Sequence, residues 1–170
     1  MASIKKAVET NLLDSILPQY GNPMVQMPRW DESQKMFLFG DYESMSGNRF
    51  YRGIRFCNNL VILEKVGQYH TWTYIDGLEL YAFNGRKLTL IQSKQYSKQF
   101  YDQEFIRSES EAMVRNYILG MCKTAGTTMT EEEATVQSKS LVEQCYKSFL
   151  DPDFNIHLTQ ILPQLESKEF

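Results

Sequence analysis

The sequence has little of the material from which metal sites and disulfide frameworks are built. It holds three cysteines and two histidines in 170 residues. An odd number of widely spaced cysteines is neither a disulfide framework nor a zinc pattern, so reduced thiols inside the cell are the simplest interpretation. The nine glycines occur singly, and they form no phosphate-binding loop. The sequence therefore predicts no metal and no cofactor.

Long apolar runs are also missing. The longest aliphatic runs, Met36–Phe39 and Leu60–Leu63, are far shorter than the roughly 20 residues that a membrane-spanning helix needs. The lysines near the amino terminus are not followed by the apolar stretch of a secretory signal. We therefore expect a cytoplasmic protein with no membrane partner.

The overall composition is typical of a folded globular domain. Apolar residues make up 42% and charged residues 23% of the chain, and 170 residues is the usual size of one domain. We predict a single domain of the α+β class, with a five- to six-stranded, mostly antiparallel meander sheet. Residues 1–33 would form an N-terminal helix and an extended segment, residues 34–95 the sheet, and residues 96–170 three C-terminal helices.

Short segments rich in aromatic and β-branched residues, separated by turn residues, mark the strands. Asn84-Gly85 and Asp76-Gly77 are typical of two-residue hairpin turns, because both supply the positive φ angles that such turns require. Gly67 is interpreted as a break between two strands. The six predicted strands are Lys35–Gly40, Arg49–Cys57, Leu60–Val66, Gln68–Ile75, Leu78–Phe83 and Lys87–Ser93.

Helical periodicity and capping residues mark the helices. A first helix is predicted from Ser3 to about Leu17, where Pro18 ends it. After the sheet, two Ser/Thr-x-x-Glu capping boxes predict helices that start at Ser108 and at Thr130. Gly126 fits the end of the first of these, and the second runs to about Leu150. The Asp151-Pro152 pair predicts the start of a third.

Charge is divided unevenly along the chain. Residues 34–100 hold nine Lys and Arg against five Asp and Glu, a sum of +4, whereas residues 101–170 hold six against twelve, a sum of −6. Opposite charge on two parts of one chain suits head-to-tail self-association. Together with an aromatic sheet, and with no catalytic pattern in the sequence, this division favours a non-enzymatic protein-interaction or assembly subunit, whose partner is another protein or a second copy.

Nucleic acid is an alternative partner. Arginine contacts phosphate and aromatic rings stack on bases, and both residue types are interleaved in the predicted sheet. Arg49, Tyr51 and Arg55 share one strand face, while Arg52 points to the other. Other basic residues in the same region are Arg86, Lys87, Lys94 and Lys98. The residues predicted to form a binding surface, for protein or nucleic acid, are Arg49, Tyr51, Arg52, Arg55, Trp72 and Trp30.

A metal-dependent nuclease is the second alternative. Nucleases of the PD-(D/E)xK type place an Asp and a Glu/Gln-x-Lys on adjacent strands, where carboxylates hold Mg²⁺ and the lysine helps to activate water. Asp76 is followed, one hairpin later, by Gln92 and Lys94 in the required spacing. Glu9 or Glu79 would add a carboxylate. The predicted catalytic residues in this alternative are therefore Asp76, Gln92 and Lys94.

Overall fold

The computed structural model forms an antiparallel sheet followed by helices. The residues that it describes are 25–26, 29–31, 33–43, 47–57, 59–69, 71–147 and 160–165. The predicted N-terminal helix lies outside the described residues. None of the described helices is both long and apolar enough to cross a membrane.

The sheet is a meander, as the sequence predicts. Its strands are β1 (Val25–Gln26), β2 (Arg29–Asp31), β3 (Met36–Glu43), β4 (Arg49–Cys57), β5 (Leu60–Tyr69), β6 (Trp72–Phe83) and β7 (Leu88–Phe100). From β3 to β7 each strand pairs antiparallel with the next along the chain, and β7 lies at one edge. The two short strands, β1 and β2, both pair with β3 on its outer side. The antiparallel α+β fold class is thus confirmed.

The predicted break at Gly67 is wrong. Strand β5 continues through Gly67 to Tyr69, and the turn lies between Tyr69 and Trp72, which are paired. The reason for a glycine is the close approach of an aromatic ring: a Cβ at Gly67 would lie 2.4 Å from Cζ of Tyr74 on the neighbouring strand. Glycine here makes room for a ring that covers the strand, which is one of its recognised roles inside sheets.

The predicted hairpin turn at Asp76-Gly77 is wrong for a different reason. Strand β6 runs without interruption through both residues, and the pairing register with β7 shifts between Ile75 and Gly77. Asp76 is thus part of a β-bulge, where an extra residue bends the strand. Gly77 does not adopt the positive φ that a two-residue hairpin turn of this type would require.

The second turn signal is confirmed in position but not in type, because residues 84–87 connect the paired Phe83 and Leu88 and Asn84 does not adopt a positive φ. Asn84 Oδ1 accepts hydrogen bonds from the backbone N–H groups of Arg86 (2.9 Å) and Lys87 (2.7 Å). Gly85 has a φ of 95°, which side-chain-bearing residues rarely adopt. The strand that follows this turn, β7, extends to Phe100, well beyond its predicted end at Ser93.

Two long helices follow the sheet, α1 (Gln103–Thr124) and α2 (Glu131–Lys147), and residues 160–165 are also helical. The predicted start of α1 at Ser108 is wrong, because Asp102 is the N-cap and accepts a hydrogen bond from Glu104 N at 3.0 Å. The predicted cap of α2 is confirmed: Thr130 Oγ1 accepts from Glu133 N at 3.1 Å. The region of the third predicted start, 151–152, lies outside the described residues.

The two faces of the sheet have separate cores, because side chains alternate along each strand. One face carries Ile62 and Leu80 and packs against α1 and α2, and we call it the helix-covered face. The opposite face carries Leu63 and Tyr81 and packs against the helical residues 160–165. The strand pairing assigns the residues of the sheet to one face or the other. This assignment gives the face on which each candidate site residue lies.

Candidate functional site

Two of the arginines predicted to form a binding surface are buried. Arg52 and Arg55 are each 1% exposed. They point to opposite faces of β4, as their spacing predicts, and both contact their own chain. Arg52 Nη1 donates to the carbonyl of Leu165 at 3.3 Å on the opposite face. A surface contact with a partner therefore has to be sought among other residues.

Arg55 is the centre of a polar cluster under the helices. Its Nε donates to Glu64 Oε2 at 2.8 Å, and its Nη1 donates to the backbone carbonyls of Gln34 and Lys35. The guanidinium carbon lies 3.8 Å from the ring centroid of Tyr146 on α2, a cation–π contact. Four parts of the chain that are distant in sequence are thus held by one side chain.

Glu64 is shared between Arg55 and a tyrosine. The hydroxyl of Tyr101 lies 2.7 Å from Glu64 Oε1 and 2.8 Å from Gln34 Oε1, and can donate to one of them at a time. Burial lowers the pKa of Arg55, but the Glu64 carboxylate, Tyr146 and Tyr101 together more than offset this and keep the pKa above its ordinary value. Burial and the same carboxylate raise the pKa of Tyr101. These shifts keep the Arg55 guanidinium charged and the Tyr101 phenol neutral, which suits a structural contact rather than proton transfer near neutral pH.

The remaining predicted surface residues are spread over the sheet. Tyr51 is buried, with Arg49 above its ring at 5.5 Å from the guanidinium carbon to the centroid. Trp30 is half-buried against the core of the opposite face. Arg86 and Lys87 lie in the exposed turn between β6 and β7. The structure does not gather these side chains into one basic surface.

The predicted nuclease residues lie on two paired strands, Asp76 in the bulge of β6 and Gln92 and Lys94 on β7. Gln92 and Lys94 lie on the helix-covered face, where Lys94 Nζ is 3.2 Å from Glu109 Oε2 of α1. Glu79 lies on the opposite face and pairs with Lys65 at 3.6 Å. In the part of the chain that the structure describes, no group of three His, Cys, Asp or Glu side chains converges as a metal site would require. Glu9 lies outside that part.

An exposed group of aromatic residues lies where β5 turns into β6. Tyr69 is 48% exposed, Trp72 is 39% exposed, and the two are paired across the hairpin. Phe100 of β7 is 60% exposed and is paired with Tyr74. All four lie on the opposite face of the sheet. We call Tyr69, Trp72, Tyr74 and Phe100, together with Lys98, the aromatic tip.

The aromatic tip has a defined geometry. The rings of Trp72 and Tyr74 are 5.0 Å apart at 40°, and Lys98 Nζ lies 5.6 Å from the centroid of Tyr74. The backbone N–H of Lys98 donates to the Asp76 carboxylate. Burial raises the pKa of Asp76, although Lys98 partly offsets this, and burial with the nearby Asp76 raises the pKa of Tyr74. The aromatic surface is therefore fixed by the bulge beneath it.

A cavity of about 270 Å³ lies close to the tip. The described residues that line it are Phe50, Tyr51, Lys65, Val66 and Asp76. Its volume is slightly below the roughly 300–1,000 Å³ of small-molecule sites, and its walls are mostly apolar. It is better suited to one inserted side chain than to a cofactor.

From the aromatic tip, sequence reasoning predicts Trp72 as a binding residue and names Lys98 among the basic residues of the nucleic-acid alternative. It placed Tyr69 and Trp72 on one strand with their side chains on opposite faces, whereas they face each other across a turn. It ended the last strand at Ser93, before Lys98 and Phe100. The segment from Gln95 to Phe100 is mostly polar, and its two aromatic residues are four positions apart. A pattern of apolar residues at every second position is therefore missing, and the signal for a longer strand is weak.

Comparison with protein-family models, with curated protein sequences and with solved structures found no match to this chain.

Proposed function

We propose that this chain is a non-enzymatic protein-interaction or assembly subunit, and that the aromatic tip is its contact surface. The observation that carries the proposal is the grouping of Tyr69, Trp72 and Phe100, each 39–60% exposed, at one end of one sheet face. Single exposed apolar residues are ordinary. Large aromatic side chains are enriched in the cores of protein interfaces, and here three of them are exposed together.

The rigidity of the tip supports the same function. Trp72 contacts Tyr74, and the Tyr74 ring lies directly over Gly67. Aromatic side chains that are already held in place lose little conformational entropy when a partner binds. The adjacent cavity offers a place for an anchoring side chain of the partner, which is how the strongest interface contacts are commonly made.

Single-stranded nucleic acid is a second candidate that one observation favours. Lys98 lies over the buried ring of Tyr74, which contacts the exposed ring of Trp72, and a cation near stacking platforms is the chemistry by which proteins bind unpaired bases. Retention on single-stranded DNA or RNA that falls steeply with salt would promote this candidate. The nuclease alternative is tested by Mg²⁺- or Mn²⁺-dependent cleavage of DNA and RNA, with Asp76→Ala and Lys94→Ala as controls.

The proposed function is tested with a tip variant, Tyr69→Ser with Phe100→Ser. The matched control is Met121→Ser, which removes an equally exposed apolar side chain (55%) near the end of α1, away from the sheet face that carries the tip. We expect the wild type and the control to bind the same protein, either another chain or a second copy, and the tip variant to lose it. Retention of an identical set of proteins by all three would overturn the proposal, as would a wild type that binds no protein and stays monomeric.

A further inference from the structure

A second exposed surface, on α2, has the opposite charge to the tip. Glu132, Glu133, Val136, Gln137 and Ser140 line a shallow groove along this helix. Val136 is 70% exposed, the highest exposure among the large apolar side chains that the structure describes. We call these five residues the α2 groove.

The acids of the α2 groove have a local explanation in the helix dipole. Carboxylates in the first turn of a helix are stabilised by its dipole. That effect accounts for Glu132 and Glu133 without a partner. Val136 lies one turn later and adds an exposed apolar side chain beside these carboxylates.

The aromatic tip and the α2 groove are complementary. The tip presents apolar rings with the ammonium of Lys98 beside them, and the groove presents Val136 with the carboxylates of Glu132 and Glu133 beside it. The same contrast holds over longer segments, since residues 34–100 sum to +4 and residues 101–170 to −6. Complementary charge aligns partners and speeds their encounter.

The two surfaces cannot meet within one chain. The tip lies on the opposite face of the sheet, whereas α2 packs on the helix-covered face. We propose that the partner of the aromatic tip is a second copy of this chain, which receives the tip in its α2 groove. This inference rests on the proposed function and names its partner.

Such a contact joins two different surfaces, so each copy keeps one free tip and one free groove. Repetition of the contact closes into a ring or continues as a filament. In the contact, Trp72 and Tyr69 pack on Val136, and Lys98 faces Glu132 and Glu133. The carboxylates that crowd the first turn of α2 are then partly neutralised by the next copy.

Two variants disable one surface each. The tip variant is Tyr69→Ser with Phe100→Ser, and the groove variant is Val136→Lys. The lysine removes the apolar contact and repels Lys98. It also follows Glu132 by four residues, an arrangement that supports a helix, so the groove variant is expected to fold. Met121→Ser is again the control, and circular dichroism checks the folding of each.

The test measures mass by light scattering after size exclusion, at about 100 μM, which is a hundred times the Kd of a micromolar complex. We expect the wild type and the control to exceed the 19.9 kDa of one chain. Each variant alone is expected to be mainly monomeric, which at this concentration requires its association to be weakened by about a thousandfold or more. Their equimolar mixture should form dimers and nothing larger, because each variant retains one intact surface. Salt at about 1 M, where charges are screened beyond about 3 Å, should weaken the wild-type assembly.

Other outcomes overturn the inference. If the wild type is monomeric at this concentration, or if the mixture of variants fails to dimerise, the contact is wrong. If the groove variant assembles like the wild type while the tip variant does not, the tips contact each other instead. If the tip binds a different protein and the wild type does not self-associate, this inference fails while the proposed function survives. If the tip variant matches the wild type in both assays, both fail.

Discussion

Replacement of Arg55 by methionine is expected to destabilise this protein strongly. Methionine is close to arginine in length and keeps much of the apolar packing, but it removes the guanidinium. Glu64, which is fully buried, then loses its charge partner and keeps only the hydroxyl of Tyr101. The carbonyls of Gln34 and Lys35 lose a donor as well.

The size of the effect follows from the burial of the pair. The Arg55 and Glu64 side chains are both inaccessible to solvent and joined at 2.8 Å. Removal of one partner from a buried ion pair costs about 3–5 kcal/mol, because the remaining charge is left unpaired. The free energy of unfolding of a domain is typically about 5–15 kcal/mol. Arg55→Met should therefore remove at least about a fifth of it, and most of it if the domain is marginally stable.

Removal of both charges should be milder than removal of one. In the double variant Arg55→Met, Glu64→Leu no buried charge remains, and such replacements are often close to neutral. The Tyr101 hydroxyl and the two carbonyls still lose partners, each at about 1 kcal/mol. We expect the double variant to unfold within about 3 kcal/mol of the wild type and to be more stable than Arg55→Met alone.

The assay is urea unfolding at pH 7, followed by circular dichroism and tryptophan fluorescence, with linear extrapolation to water. The slope should stay constant, so that the midpoint reports stability. A loss of unfolding free energy below about 1 kcal/mol for Arg55→Met would refute the reasoning, since a buried unpaired carboxylate should destabilise the protein by more than this. A double variant no more stable than the single variant would show that Glu64 is not the group left unpaired.

Three further predictions concern the strands and the first helix. Gly67→Ala should cost about 1–3 kcal/mol and more than Gly53→Ala, because its new Cβ meets a tyrosine ring rather than the flexible end of a methionine; equal urea midpoints would contradict this. Burial and a carboxylate hydrogen bond raise the pKa of Tyr81, so the unfolded chain ionises first and stability falls as pH rises above about 10. Tyr81→Phe should flatten that fall by up to about 1.4 kcal/mol per pH unit in urea titrations, and an unchanged slope would count against it. Asp102→Ala should lower the unfolding free energy by about 0.5–2 kcal/mol, and Ser108→Ala by less than about 0.5; the reverse order in thermal melts would mean that the helix starts elsewhere.

The turn signals show how far local sequence reaches. Asn84-Gly85 lies in a turn, as predicted, because the asparagine side chain closes it with local hydrogen bonds, although of the two residues Gly85 alone adopts a positive φ. Asp76-Gly77 has the same local pattern but lies inside a strand. Its carboxylate accepts a hydrogen bond from the backbone of Lys98 on the next strand. An interaction with a residue so far along the chain cannot be predicted from the Asp76-Gly77 dipeptide alone.

The arginines show a different limit. Charged side chains are almost never fully buried unless they are paired, so Arg55 and Arg52 were interpreted as surface residues. Their burial depends on partners elsewhere in the chain, such as Glu64 and Leu165. Alternation along the strands does place Arg55 and Glu64 on one face. With the hairpin register known, that ion pair could have been proposed from the sequence.

The candidate site was harder to predict than the fold. Trp72 stood out by its residue type, but its neighbours in space depend on where strands end. Tyr69 meets it only because the turn follows Gly67 rather than falling there. Phe100 joins them only because β7 continues past Ser93. Strand ends are set by competing local and long-range contacts, so one sequence determines the meander more clearly than it determines what gathers at its tip.

The outer edge of β7 has a consequence for how this protein can assemble. Within the described residues no strand pairs with that edge, although β7 is thirteen residues long. Its pairing with β6 shifts twice, and Lys98 adopts a left-handed backbone with a φ of 48°. Such kinks and an edge lysine interrupt the regular row of N–H and C=O groups on which an incoming strand would template. Fibril-like growth by strand addition is therefore disfavoured, and association is left to side-chain surfaces, whose specificity can be changed one residue at a time.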